Sequence, residues 1–214
     1  MTDKGRLLPI FPLNIVLLPF EVIAIRIFED RYKKMLHDSL NNDSKIGIVL
    51  IKSGNEVGGP VEIYEFGTLA KIKSSEKADT GDYYLILEGL AKFSINETVT
   101  TTPYMIADIE IISEKNTLHS NELEKAKMSF QSYINYLLNI QGEWKKHPIV
   151  PEDPIKLSYL IPQLLNLELF EKQHFLEINS SKERIENSLS YLNTEIVDLS
   201  KKLNTKMTMQ YGRN

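Results

Sequence analysis

The spacing of apolar residues changes near Ser113. Before it they come in short runs with the period of strands, and after it they recur about every 3.6 residues, as on a helix. "IGIVLIK" (46–52) is a continuous apolar run suited to a strand buried on both faces, and "SGNEVGGP" (53–60) ends it with three glycines and a proline. In "EIYEFGTLAKIKS" (62–74), Leu69, Lys71 and Lys73 alternate with Ala70 and Ile72, which predicts a strand with one wet face. "EKADTGD" reads as a polar turn, "YYLILEGLAKFSINE" (83–97) resumes the strand pattern, and "YMIADIEIIS" (104–113) alternates again. Five or six strands with tight links predict an antiparallel barrel or folded sheet. One helix interrupts them: "FEDRYKKMLHDSL" (28–40) sets Phe28, Tyr32, Met35, Leu36 and Leu40 at helical spacing, with Glu29 and Asp30 where a helix start favours negative charge.

Beyond Ser113, "NELEKAKMSFQSYINYLLNIQ" (121–141) gathers Leu123, Ala126, Phe130, Tyr133, Ile134, Leu137 and Leu138 on one side. A proline-rich loop follows over 142–154. "EDPIKLSYLIPQLLNL" (152–167) predicts a helix that Pro162 kinks or divides, and "ELFEKQHFLEI" (168–178) predicts a short one. In "SSKERIENSLSYLNTEIVDLSKKLN" (180–204), Ile185, Leu189, Leu192, Ile196, Leu199 and Leu203 recur at 4, 3, 4, 3 and 4, a stripe that requires a partner surface, either neighbouring helices or a second subunit.

The first residues raise a separate question. Fourteen uncharged residues, Leu7 to Phe20, follow Lys4 and Arg6, as in an export signal. Pro9, Pro12 and Pro19 oppose a helix there, no small-x-small cleavage site follows, and Glu21 ends the run short of the ~20 residues a spanning helix needs. Two buried strands punctuated by prolines are expected instead. Composition agrees with a globular protein, 42% hydrophobic and 25% charged. The net charge of -4 divides into 12 basic against 16 acidic residues up to Ser113 and 13 against 13 after it, so neither half is a basic nucleic-acid-binding surface. There is no cysteine, which excludes disulfides and thiolate metal sites and suits a cytoplasmic location, and the four histidines are too scattered for a metal motif.

The ordered blocks "LPIFPLNIVLLPFEVIAIRIFEDRYKKML", "IGIVLIK" with "GNEVG", "EFGTLAKI", "GDYYLILEGLAKFSI" and "PYMIADIEII" resemble the N-terminal domain of Lon proteases, with its LPLFPL, V-L-P-G and IFE-x-RY-x-x-M pattern. The helical remainder, including "QHFLEINSSKERIENSLSYL", is similar too, so the resemblance covers roughly residues 7 to 204. It implies an α+β fold: a PUA-like antiparallel β pseudobarrel with one inserted helix over 1–114, then an α-helical bundle over 115–214, together one domain. It also implies a stand-alone substrate-recognition module that binds unfolded or partly folded proteins and serves as an adaptor to a separate ATP-dependent protease. Two positions depart from the pattern: Phe20 stands where the family often has Gly, and Arg26 where it often has His. Beside apolar strands, Phe20 is expected to pack in the core.

Catalytic chemistry is not legible. No GxxxxGK[ST] phosphate loop occurs in the 214 residues, and "SGNEVGGP" lacks its lysine and hydroxyl. Ser181-Lys182 and Ser200-Lys201 are adjacent on an expected helix, where neighbours do not face one another. Glu171, His174 and Glu177 read as a surface face, Glu29 and Arg31 as a helix cap and a local ion pair, and Gly67 and Gly89 as strand bends or points of close packing. The expectation is therefore a non-catalytic protein-binding module without cofactor, metal, nucleic acid or membrane. Phe20, Tyr83, Tyr84 and Trp144 are the candidate peptide-binding residues. The alternative is a scaffold that forms a homo-oligomer through its heptad helix.

Overall fold

A computed structural model describes residues 6–116, 118–141 and 149–211, with side chains through Lys201. Trp144, His147, the Leu203 side chain and most of the proline-rich stretch lie outside the described residues. The chain divides into two compact units, one of residues 1–113 with 167–177 and the other of 114–166 with 178–214.

In the first unit the elements are β1 (Arg6–Leu13), β2 (Val22–Ile27), α1 (Asp30–Leu40), β3 (Lys45–Gly54), β4 (Val61–Lys77), β5 (Tyr83–Thr100), β6 (Met105–Ile111) and, later in the chain, α4 (Leu169–Glu177). The strands form one sheet in the order β2-β5-β4-β3-β1-β6, and β5 also pairs with β6. Five strands therefore close into a ring, with β2 attached outside it along β5 alone. Each ring strand supplies the inner cluster, Leu8 and Ile10, Val49, Leu69, Phe93, and Ala107 and Ile109. A second cluster lies on the other face, where Tyr32, Met35 and Leu36 of α1 and Ile27 of β2 meet Phe11, Leu13, Ile46, Ile48, Leu85 and Leu87. Successive strand residues point to opposite faces, so β3 reads as a continuous apolar run because it feeds both clusters.

The expected antiparallel sheet needs one correction: β1 and β3 run parallel, Ile10 opposite Gly47 and Leu13 opposite Leu50. A parallel pair requires a long crossover, and residues 14–44, carrying β2 and α1, provide it. A second correction concerns β2, whose side chains alternate between exposed and half-buried up to a buried Ile27. It is an edge strand, not a buried one. A third concerns the division at 114, because α4 belongs with the sheet. Gln173 donates to the Phe66 carbonyl at 3.2 Å, and the buried Lys92 donates to the Glu177 carbonyl at 3.5 Å. These bonds satisfy polar groups that burial would otherwise make costly.

The second unit contains α2 (Ser120–Gln141), α3 (Pro154–Leu164) and α5 (Ser181–Tyr211). Asp153 caps α3 by accepting from the Ile155 amide at 2.9 Å, with Pro154 in the first turn. Pro162 stays inside α3, which ends two residues later at Leu164. Along α5, Ile185 and Leu192 are buried, while Leu189, Ile196 and Leu199 are half-buried. The fully buried Arg184 guanidinium donates to both Glu114 carboxylate oxygens at 3.0 Å, to Ser158 Oγ at 2.7 Å and to the Ile178 carbonyl at 2.6 Å, and stacks 3.7 Å from the Tyr159 ring centroid. The Tyr159 hydroxyl donates to the same carboxylate. Among the described residues, no helix is long and apolar enough to cross a membrane.

Candidate functional site

The segment that leads into β2 is a tight turn. Glu21 N–H donates to the Leu18 carbonyl at 3.1 Å, Pro19 takes the second position, and Phe20 the third, with φ 67. Proline favours the second position of such a turn, and the left-handed third position favours glycine, which explains why a Pro-Gly pair suits this site. Phe20 occupies it at a steric cost of roughly 1–2 kcal/mol. The turn is held on several sides. The Glu21 carboxylate accepts from the Leu18 amide at 2.9 Å, Phe20 N–H donates to the Gly89 carbonyl at 2.8 Å, and Thr68 Oγ1 donates to the Leu17 carbonyl at 2.5 Å. A Cβ on Gly89 would lie 2.4 Å from the Leu18 carbonyl oxygen, so this close approach requires glycine. A Cβ on Gly67 would similarly meet Val49 Cγ2 at 2.6 Å. Burial pushes the Glu21 carboxyl above the usual range, against the lowering effects of its backbone hydrogen bond and nearby Lys172. The core placement expected for Phe20 does not hold: it is 41% exposed, because a turn residue at the sheet margin projects beyond the packed clusters.

From this turn, β2 runs antiparallel to β5, with Val22 opposite Glu88, Ala24 opposite Ile86 and Arg26 opposite Tyr84. Directly opposed residues share a face, so these six form one outer surface. Val22 (60% exposed), Tyr84 (53%) and Ile86 (38%) supply large apolar side chains where an ordinary wet face would carry polar ones. Phe28, beyond the end of β2, is also exposed, with the Arg26 guanidinium 6.0 Å from its ring centroid. Asp82 accepts from Arg26 Nε at 3.0 Å and Nη2 at 2.5 Å, and that hydrogen bonding holds its carboxyl below the usual range. Lys73 and Glu88 pair at 3.0 Å on the neighbouring border. The structure separates the two candidate tyrosines: Tyr84 faces outward, whereas Tyr83 packs against the α1-side cluster. Strand parity requires this.

Residues 7–194 match the family model described as ATP-dependent protease La (LON) substrate-binding domain. The chain belongs to that family. It is 33% identical over 202 residues to Lon protease of Flavobacterium johnsoniae, covering 91% of this chain and 25% of the relative. Similarity to Lon protease 2 of Myxococcus xanthus is 27% over 211 residues, covering 95% and 26% respectively. The chain thus spans about a quarter of the length of these relatives. Two solved structures share its fold. The Lon N-terminal domain protein from Xanthomonas campestris has TM-score 0.66 at 20% identity over 87% of this chain and 98% of that one. The N-terminal domain of Mycobacterium avium complex Lon protease has TM-score 0.64 at 14% identity over 88% and 98%.

Within this Lon-type domain, Val22, Phe28 and Ile86 are exposed in addition to Phe20 and Tyr84, the two sequence candidates that the described structure places at the surface. Val22 and Ile86 belong to "VIAIRI" and "YYLILE", apolar runs like that of β3, and only the position of β2 at the end of the strand order leaves one of their faces to water. The remaining constellations resolve into structural contacts. Ser181 Oγ donates to the Lys115 carbonyl at 3.3 Å while Lys182 pairs with Glu122 at 2.7 Å, and Ser200 Oγ donates to the Val197 carbonyl at 2.7 Å while Lys201 pairs with Asp198 at 3.5 Å. Glu171 accepts from the Glu168 amide at 2.8 Å and Glu177 from Gln173 at 2.9 Å. Glu29 pairs with Arg31 at 3.0 Å. Among the described residues, no group of three or more His, Asp or Glu side chains is placed to hold a metal ion.

Proposed function

We propose that this chain is a non-catalytic recognition module that binds exposed apolar segments of unfolded or partly folded proteins on the β2–β5 outer face. In this reading the five-strand ring is a PUA-like pseudobarrel, and the module is a cytoplasmic adaptor that presents clients to a separate ATP-dependent protease. The observation that carries it is the run of exposed Val22, Ile86 and Tyr84 beside the strained, exposed Phe20. Apolar side chains gathered on a sheet face mark an interaction surface better than scattered ones. Unfolded clients display apolar side chains that native proteins hide, so the contact discriminates by exposure. Titrating the chain with one client protein in native form and in a form kept unfolded by a core substitution tests it. Binding of the unfolded form alone is expected, and equal binding of both, or of neither, rejects the proposal.

Self-association through α5 is a second reading, favoured by Ile196 and Leu199, which remain half-buried, and by exposed Val197 beside them. Leu192 is unsuitable as a probe because it is fully buried within its own unit. Light scattering of Val197→Asp and Leu199→Asp variants against the unsubstituted chain provides the test. A monomeric unsubstituted chain removes this reading.

A further inference from the structure

We propose that β2 captures an extended client segment by strand addition, so that the segment becomes the next strand of the sheet. This rests on the recognition reading above and specifies its mode. β2 lies at the end of the strand order and, among the described strands, pairs with β5 alone. The pairing runs from Val22–Glu88 to Ile27–Tyr83 without a register shift. Gly89 N–H donates to the Glu21 carbonyl at 2.8 Å, which puts Glu21 among the residues whose backbone groups turn toward β5. Alternation along an antiparallel ladder then turns Ile23, Ile25 and Ile27 toward β5 and leaves the N–H and C=O of Val22, Ala24 and Arg26 directed outward.

This edge lacks the usual protections. Val22–Ile27 contains no proline, lysine or bulge, and its sole charge, Arg26, sits near one end bound to Asp82. Side chains of an added strand would lie beside Val22 and Ala24 on the outer face, with Ile86 and Tyr84 one strand further in, and beside the half-buried Ile23 and Ile25 on the face toward the α1-side cluster. The bordering charges are already paired, Arg26 with Asp82 and Lys73 with Glu88, so an uncharged apolar segment fits the edge better than a charged one. A second copy is a poor occupant. A strand of six residues is only ~20 Å long, so a second copy joined along it would need further contacts elsewhere to reach the ~1,200 Å² of a stable dimer. The fitting partner is an extended, proline-free apolar segment of the kind that forms interior strands in folded proteins.

The test uses the full chain and a fluorescein-tagged heptapeptide of valine, isoleucine and tyrosine with a lysine at each end. Two further peptides carry backbone N-methyl groups on one or the other alternate set of residues. They keep every side chain and remove the donors on one edge only. Binding of the parent peptide is expected, with a loss of ~10-fold or more for one methylated form and little change for the other. Ala24→Pro removes one outward N–H without breaking the β5 ladder, and should weaken parent-peptide binding ~10-fold while circular dichroism still shows a cooperative melt. If that variant does not fold, the methylated pair alone decides. Equal affinities of the two methylated forms overturn strand addition. If an unfolded client binds but no peptide does, strand addition falls alone; if neither binds, the recognition reading falls with it. A dimer in light scattering that Ala24→Pro dissociates makes a second copy the occupant and overturns the proposal.

Discussion

Replacing Phe20 with glycine and with alanine separates strain from contact at the turn before β2. Both substitutions remove the ring of a residue that is 41% exposed and forfeit the packing of its buried part, ~1–2 kcal/mol. They differ in the backbone. At φ 67, alanine retains the left-handed clash of roughly 1–2 kcal/mol, and glycine does not. Glycine also loses roughly 0.4–1 kcal/mol through the greater freedom of its unfolded chain. The glycine variant should therefore exceed the alanine variant by about 1 kcal/mol, or ~2–4 °C in melting temperature for a chain of this size. At an ordinary strand position the order is the reverse, by ~0.5–1 kcal/mol. Relative to the unsubstituted chain, glycine should come near parity and alanine clearly below it. Urea denaturation followed by circular dichroism measures the order. An alanine variant more stable than the glycine variant by the ~0.5–1 kcal/mol of an ordinary position would show that Phe20 is not strained. Binding of unfolded client should fall alike in both, since neither has the ring.

Arg184→Met leaves the Glu114 carboxylate without its cation and should cost ~3–5 kcal/mol in urea unfolding, whereas Arg184→Met with Glu114→Gln should recover much of that loss. The Glu21 carboxyl is raised by burial, so the folded state binds its proton more tightly than the unfolded state, and its contribution to stability declines as pH climbs from the unfolded value of ~4.3 through the raised one. Glu21→Gln keeps an acceptor for the Leu18 amide and should flatten that decline, so that unfolding curves of variant and parent diverge above the window and converge below it; equal slopes would refute the assignment. Tyr84→Ser should change stability by no more than ~0.5 kcal/mol yet weaken client binding, while Tyr83→Ser, which cuts into the packed cluster, should lower the melting temperature; the reverse pattern would mean that the client docks elsewhere.

Much of the fold was legible because its signals are local. "IGIVLIK" announced a doubly buried strand, and the structure shows why: its alternate residues enter two different clusters. The glycine pair was legible in kind, since Gly67 and Gly89 sit where a Cβ would collide with a neighbouring strand or turn. The parallel β1–β3 pairing was not, because nothing within either strand encodes its partner, and a crossover through β2 and α1 is a property of the whole chain. The return of α4 to the sheet escaped for a related reason. Gln173 and Lys92 bond to carbonyls distant in sequence, and only the fold brings them together. Among the candidate aromatic residues, sequence gives the type of side chain but not its direction. "YY" offers two equal rings, and parity alone sends one inward; Phe20 escapes the core because the Pro-x pair forms a turn and not a piece of strand.

A weak site on this edge is compatible with sharp selection. A six-residue strip offers limited apolar area, and association itself costs at least ~4 kcal/mol, so affinity for an isolated segment stays modest. Discrimination then comes from the client. A folded protein must open the segment before β2 can take it, and an opening cost of ~4 kcal/mol lowers the apparent affinity about a thousandfold without any repulsive contact at the site. Native domains, stable by ~5–15 kcal/mol, are excluded by their own stability, and a client that loses part of it becomes visible in proportion. Under the proposed strand addition, such a module needs no chemical means of telling damaged proteins from intact ones. An open, apolar strand edge is enough for that selection.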